Sequence, residues 1–101
     1  MSDAEPTHSL VIYDKHLPDG SHYVLQACLD ASGRLVLEGY DAGPLVQATW
    51  GDSDYEYWLK IDAEHVPQVL LELIRDRFET DGEFREWLDR KGIPCHFDSW
   101  A

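Results

Sequence analysis

The sequence predicts an α+β fold: a four- to five-stranded antiparallel β-meander followed by two C-terminal helices packed on one face of the sheet. Three observations predict it. Turn residues punctuate the chain at short intervals from Ser9 to Asp62, Tyr55 to Ile61 alternates with a period of two, and beyond Asp62 the apolar period becomes helical.

The first strand opens with Leu10 and Ile12 on one side and Val11 and Tyr13 on the other. His16-Leu17-Pro18-Asp19-Gly20 then reads as a loop, because proline presets a turn φ and Asp-Gly supplies a bend. A second strand is expected from about His22 to Asp30. Ala31-Ser32-Gly33 is short enough for a hairpin, so Arg34 to Tyr40 should return antiparallel beside it. Asp41-Ala42-Gly43-Pro44 turns again, and Leu45 to Trp50 is expected as a further short strand. After the turn at Gly51-Asp52-Ser53-Asp54, the last strand places Tyr55, Tyr57, Leu59 and Ile61 on one face and Glu56, Trp58 and Lys60 on the other.

Val66, Leu70, Leu73, Ile74 and Phe78 recur at helical spacing. Pro67 suits a first turn, so this helix should begin near Val66 after a loose turn at Asp62 to His65. Thr80 and Glu83 have capping-box spacing and should open a second helix carrying Phe84, Trp87 and Leu88. Arg90 and Lys91 complement its C-terminal dipole, Gly92 suits a left-handed cap, and Pro94 prevents continuation. One domain is expected over residues 1–101: a flexible 1–8, a sheet over 9–62, helices over 66–91 and a tail over 93–101. At 101 residues and 44% apolar composition, one core is enough.

On this register Leu10, Ile12, Leu25, Leu37, Leu59 and their neighbours form the face that the helices cover. The opposite face, with Val11, Tyr13, Val24, Cys28, Val36, Tyr40 and Trp58, is too apolar for plain solvation. Either the Ile93 to Trp100 tail or a partner should cover it.

Twenty acids against eight bases give a net charge of −12, and ten of the acids but only two of the bases precede Tyr57. Such a surface repels polyanions, so neither nucleic acid nor anionic membrane is an expected partner. The opening residues lack a basic, apolar export signal, and no apolar run approaches a membrane span, so a cytoplasmic location is expected. Cys28 and Cys95 are then expected to be free thiols.

Candidate chemistry is sparse. Asp52, Asp54 and Glu56 suggest a cation turn, but an EF-hand loop would need glycine where Tyr57 stands. His8, His16, His22, His65 and His96 show no zinc-finger spacing, and Cys95 and His96 are adjacent and diverge on an extended chain. No glycine-rich phosphate loop occurs. No cofactor, resident metal or catalytic residue is expected.

The stretches Leu37-Glu38-Gly39-Tyr40-Asp41-Ala42-Gly43, Trp50-Gly51-Asp52-Ser53-Asp54-Tyr55-Glu56-Tyr57-Trp58 and Ile93-Pro94-Cys95-His96-Phe97-Asp98-Ser99-Trp100 resemble a family of small acidic uncharacterised bacterial proteins. The resemblance implies a bacterial origin and no particular chemistry. In profile alone, the chain is similar to bacterial immunity proteins and other small inhibitors, which are acidic because their targets are basic.

The expected function is therefore a non-enzymatic, acidic protein-interaction module of the inhibitor or immunity type. Asp41, Asp52, Asp54 and Glu56 would supply charge to a basic protein partner, and Trp50, Tyr55 and Trp58 would be its aromatic anchors. The alternatives are a small metal-dependent protein or enzyme using the Asp52/Asp54/Glu56 turn, and a structural homodimer.

Overall fold

Residues 8–51 and 54–100 are described by the structure, a computed structural model, with Leu45 and Trp50 described in their backbone only. Within these bounds the elements are β1 (His8–His16), β2 (His22–Leu29), β3 (Leu35–Ala42), α1 (Pro44–Trp50), β4 (Asp54–Ile61), a 3-10 turn (Ala63–His65), α2 (Val66–Arg77) and α3 (Asp81–Arg90). The protein is α+β, a four-stranded antiparallel meander in the order β1-β2-β3-β4 followed by C-terminal helices. Residues 1–7, expected to be flexible, lie outside the described residues, whereas His8 already pairs with Leu29 at the start of β1.

Two local features depart from the sequence expectation. Leu45–Trp50 is not a strand: the segment is helix α1, with Pro44 in its first turn and the Gly51 N–H donating to the Gln47 carbonyl at its end. The leading proline, which fits a helix start and cannot serve a central strand, outweighs the β-forming Leu45 and Val46. Removing one strand from the count reverses the direction of β4. Asp54 consequently lies beside Ala42 and Ile61 beside Leu35, so Asp14, Asp19, Asp41 and Asp54 share one end of the sheet while Asp30 and Asp62 lie at the other.

The second departure is a β-bulge between Val11 and Tyr13. One extra residue, Ile12, breaks the alternation of β1, so Tyr13 pairs with Leu25 on the same face as Leu10 and Ala27. That face has an apolar part, with cross-strand rows Leu10–Ala27–Leu37–Leu59 and Leu29–Leu35–Ile61. Its polar aromatic part has the rows Tyr13–Leu25–Gly39–Tyr57 and Lys15–Tyr23–Asp41–Tyr55. The opposite face carries Val24, Cys28, Val36, Tyr40, Glu56 and Trp58.

The turn between β2 and β3 is built by Asp30. Its Oδ1 accepts hydrogen bonds from the Ser32 N–H, the Ser32 hydroxyl and the Arg34 N–H at 3.0, 2.7 and 2.9 Å, and its Oδ2 accepts from Arg34 Nε at 2.8 Å. With only 12% of its side chain exposed, this carboxylate replaces water by four protein donors and fixes the hairpin register. The Ser32 hydroxyl and then Arg34 hold its pKa well below the usual carboxylate range.

The chain divides after Val66 into two compact units. In the second, α2 follows the 3-10 turn as expected, and Arg75 and Glu72 pair along its surface. The Thr80 hydroxyl caps α3 by accepting the Glu83 N–H at 3.1 Å, while the Glu83 carboxylate reaches back to the Glu79 N–H at 2.7 Å. Phe78, Phe84 and Trp87 form one ring cluster, with centroid separations of 4.9, 5.9 and 6.0 Å. Gly92 takes the left-handed conformation at φ 71°, and the Ile93 N–H returns to the Leu88 carbonyl at 2.9 Å, which ends α3. The extended tail rests on α3 through the Arg85 guanidinium, 4.1 Å from the Phe97 ring centre. No helix among the described residues is long and apolar enough to cross a membrane.

Candidate functional site

Of the residues expected to meet a partner, Asp41, Asp54, Tyr55 and Glu56 lie at one end of β3 and β4 and Trp58 stands midway along β4, and they do not share a face. Asp41 and Tyr55 are cross-strand partners on the Tyr57 face, whereas Asp54, Glu56 and Trp58 alternate onto the opposite one. Asp52 and the Trp50 side chain lie outside the described residues. Asp54, Glu56 and Trp58 are all exposed, and the Trp58 side chain stands 55% open to solvent on an edge strand of the sheet. A large ring flanked by carboxylates at a sheet edge can supply both apolar contact and charge to another protein.

On the Tyr57 face the rings are committed to one another. The Tyr57 ring lies flat over Gly39, so closely that a Cβ added there would fall inside it. Absence of a side chain at Gly39 is what lets the ring cross β3. Its hydroxyl hydrogen-bonds Tyr13, which the β1 bulge has brought to this face, and Tyr55 stacks on it at 5.4 Å. Lys15 sits 4.7 Å from the Tyr13 ring centre. Burial first, then the Tyr13 bond and the Asp41 charge, push the Tyr57 phenol up to about 12. Tyr55 belongs to this aromatic network and stays exposed at its margin.

A third grouping was not anticipated from the sequence. At the loop end of the β1–β2 hairpin, Asp14, His16 and His22 bring one potential ligand atom each within 4.8 Å of the others. Asp14 Oδ1 lies 2.7 Å from His22 Nε2 and 3.4 Å from His16 Nε2. The two imidazoles are stacked, with centroids 4.0 Å apart and planes inclined by 15°, and the Tyr40 ring meets His22 edge-on at 6.2 Å. Antiparallel pairing places them together, because His16 faces His22 across the hairpin and Asp14 is two residues back on the same strand face. The loop between them is closed by Leu17 N–H to Ser21 O at 2.9 Å and Gly20 N–H to Leu17 O at 3.0 Å. Asp54 and Glu56, expected to supply a cation turn, are not part of this group.

The signal that could have found the trio is the symmetry of the two histidines about the Leu17–Ser21 loop. A search for short-range zinc-finger spacing does not see ligands joined by strand pairing.

Both cysteines are free thiols, Cys95 exposed and Cys28 half-buried in β2. Burial, followed by the charges of Glu38 and Asp30, raises the Cys28 pKa, which disfavours its thiolate. No protein-family model, curated protein or solved structure matches this chain.

Proposed function

We propose that the protein is a non-enzymatic interaction module that docks the Asp54–Trp58 edge of its sheet on a basic surface of another protein. The observation that carries the reading is Trp58: a tryptophan 55% exposed on β4, on the same face as exposed Asp54 and Glu56, in a chain of net charge −12. Tryptophan is among the side chains that dominate binding energy once desolvated, and neighbouring carboxylates speed encounter with a cationic patch. Inhibition of a basic target, as an immunity-type protein performs it, is the form of this activity that the charge favours. Asp41 and Tyr55, on the other face, take a supporting role in holding β4.

The test is affinity capture with the wild-type chain and with Trp58→Ala and Glu56→Lys as baits, at low and high salt. A basic protein retained by the wild type at low salt, and lost with either variant, supports the reading. Equal recovery of the same proteins by all three baits, or recovery of no basic protein, overturns it.

A further inference from the structure

We infer that Asp14, His16 and His22 form a three-ligand site for a divalent transition-metal ion of the zinc, nickel or copper class. The site does not depend on the proposed interaction with a basic partner.

The hairpin fixes the three Cα positions. Asp14 and His16 project from one face of β1, and His22 opposes His16 directly on β2. Ligands at i and i+2 of one strand with a third across the ladder form a triangle that the backbone hydrogen bonds hold. Side-chain geometry is already close to what a metal requires. Two ligands of a tetrahedral ion at ordinary metal–ligand distances lie roughly 3.3 Å apart. The His16 Nε2 to Asp14 Oδ1 separation is 3.4 Å, and that of His22 is 2.7 Å, a direct hydrogen bond that must open by about half an ångström to admit the ion.

The parallel stack is the second adjustment. A metal lies in the plane of each imidazole that binds it, so rings inclined by only 15° must splay until their Nε2 lone pairs converge. His16 is free to do so, with 74% of its side chain exposed. His22, at 33% and held edge-on by Tyr40, is the fixed member against which the other two close. Each imidazole would then bind through Nε2 and keep its proton on Nδ1.

Ligand chemistry selects the ion. Two imidazoles with one carboxylate suit zinc, nickel and copper, whereas calcium and magnesium prefer all-oxygen sets. Three protein ligands at a solvent-facing hairpin end leave at least one coordination position open, to be filled by water or by a donor from outside the chain. The surplus negative charge of the protein, with Asp54 on the same cross-strand row as His16 and His22, favours a cation here.

The experiment uses the full chain, free of any histidine tag and stripped with a chelator. Zinc is titrated by calorimetry and cobalt by visible absorption, while imidazole ring resonances are followed by NMR. One equivalent is expected to bind, shifting the rings of His16 and His22 but not those of His65 and His96. The cobalt spectrum should lack a thiolate charge-transfer band. His16→Gln, His22→Gln and Asp14→Asn should each weaken zinc binding by roughly tenfold or more. His16→Gln alters an exposed side chain and keeps the test valid should His22→Gln unfold. Cys95→Ser/His96→Gln removes the exposed adjacent pair and should leave binding unchanged. Absence of stoichiometric binding, or binding that survives His16→Gln and disappears in Cys95→Ser/His96→Gln, overturns the proposal and leaves the trio a carboxylate bridging two imidazoles.

Discussion

Replacing Gly39 with alanine isolates the contact that ties β4 to β1. Gly39 has no positive φ, so alanine is compatible with its backbone, and in a strand the exchange would ordinarily stabilise by about 0.5–1 kcal/mol. Here the new methyl group would occupy the position of the Tyr57 ring. The ring must swing away, breaking its hydroxyl bond to Tyr13 and its stacking on Tyr55. A hydrogen bond of this kind contributes about 0.5–1.5 kcal/mol net, and an aromatic pair about as much again. The losses exceed the gain in backbone entropy, and Gly39→Ala is expected to destabilise by about 1–2 kcal/mol. Urea unfolding followed by far-UV circular dichroism measures it, in the wild type and in a Tyr57→Ala background. Without the ring the sign should reverse, with Gly39→Ala neutral or stabilising by about 0.5–1 kcal/mol. An equal cost in both backgrounds would refute the assignment of Gly39 to ring clearance.

Two titrations probe the same framework. Among the five tyrosines, spectrophotometric titration of the folded protein should show Tyr57 ionising only at about 12, against an ordinary phenol value near 10. Since the folded-state pKa is raised, the associated stability is complete below pH 10 and disappears as pH rises through 12. Tyr13→Phe should lower the late step partway, and an unaltered step would deny the hydrogen bond between the two hydroxyls. For Asp30 the shift is downward, so its contribution is complete above an unfolded carboxyl pKa of about 3.9 and is lost as pH falls below that value. The difference in urea midpoint between wild type and Asp30→Asn should therefore be constant near neutrality and shrink below pH 4. A gap that stays unchanged down to pH 2 would show that the Ser32 and Arg34 bonds do not favour the ionised form.

Much of the fold was legible because period and punctuation agree along most of the chain. The clean alternation of Tyr55 to Ile61 marks β4, Ala31-Ser32-Gly33 marks the β2–β3 hairpin, and Thr80 with Glu83 marks the start of α3. Leu45–Trp50 was misread because the seven-residue helix Pro44–Trp50 is too short to display a helical period, and Leu45 and Val46 favour strands by composition. That one error inverted the direction of β4 and with it the end of the sheet at which Asp54 lies. The bulge at Ile12 escaped for a related reason: an inserted residue leaves no mark in composition, yet transfers every later residue of β1 to the other face. Of the candidate surface, Glu56 and Trp58 keep their expected common face and are joined there by Asp54, which the sequence reading left in a turn, while strand pairing places Asp41 and Tyr55 on the other face.

The two proposed activities occupy opposite edges of one sheet face, and their spacing makes them electrically separable. His16, His22, Ala42 and Asp54 form a single cross-strand row, so at an ordinary strand separation of about 4.8 Å, Asp54 is roughly 10 Å from His22 and 14 Å from His16. Exposed charges are screened over about 8 Å at physiological ionic strength. A cation held by the trio therefore feels the Asp54 carboxylate weakly, which favours its capture, but alters the field at Trp58, four residues beyond Asp54 on β4, very little. The proposed affinity for a basic partner through β4 and the proposed affinity for a metal through the β1–β2 hairpin should consequently be independent of one another. A partner whose binding responded strongly to metal would have to reach across all four strands and donate to the open coordination position itself.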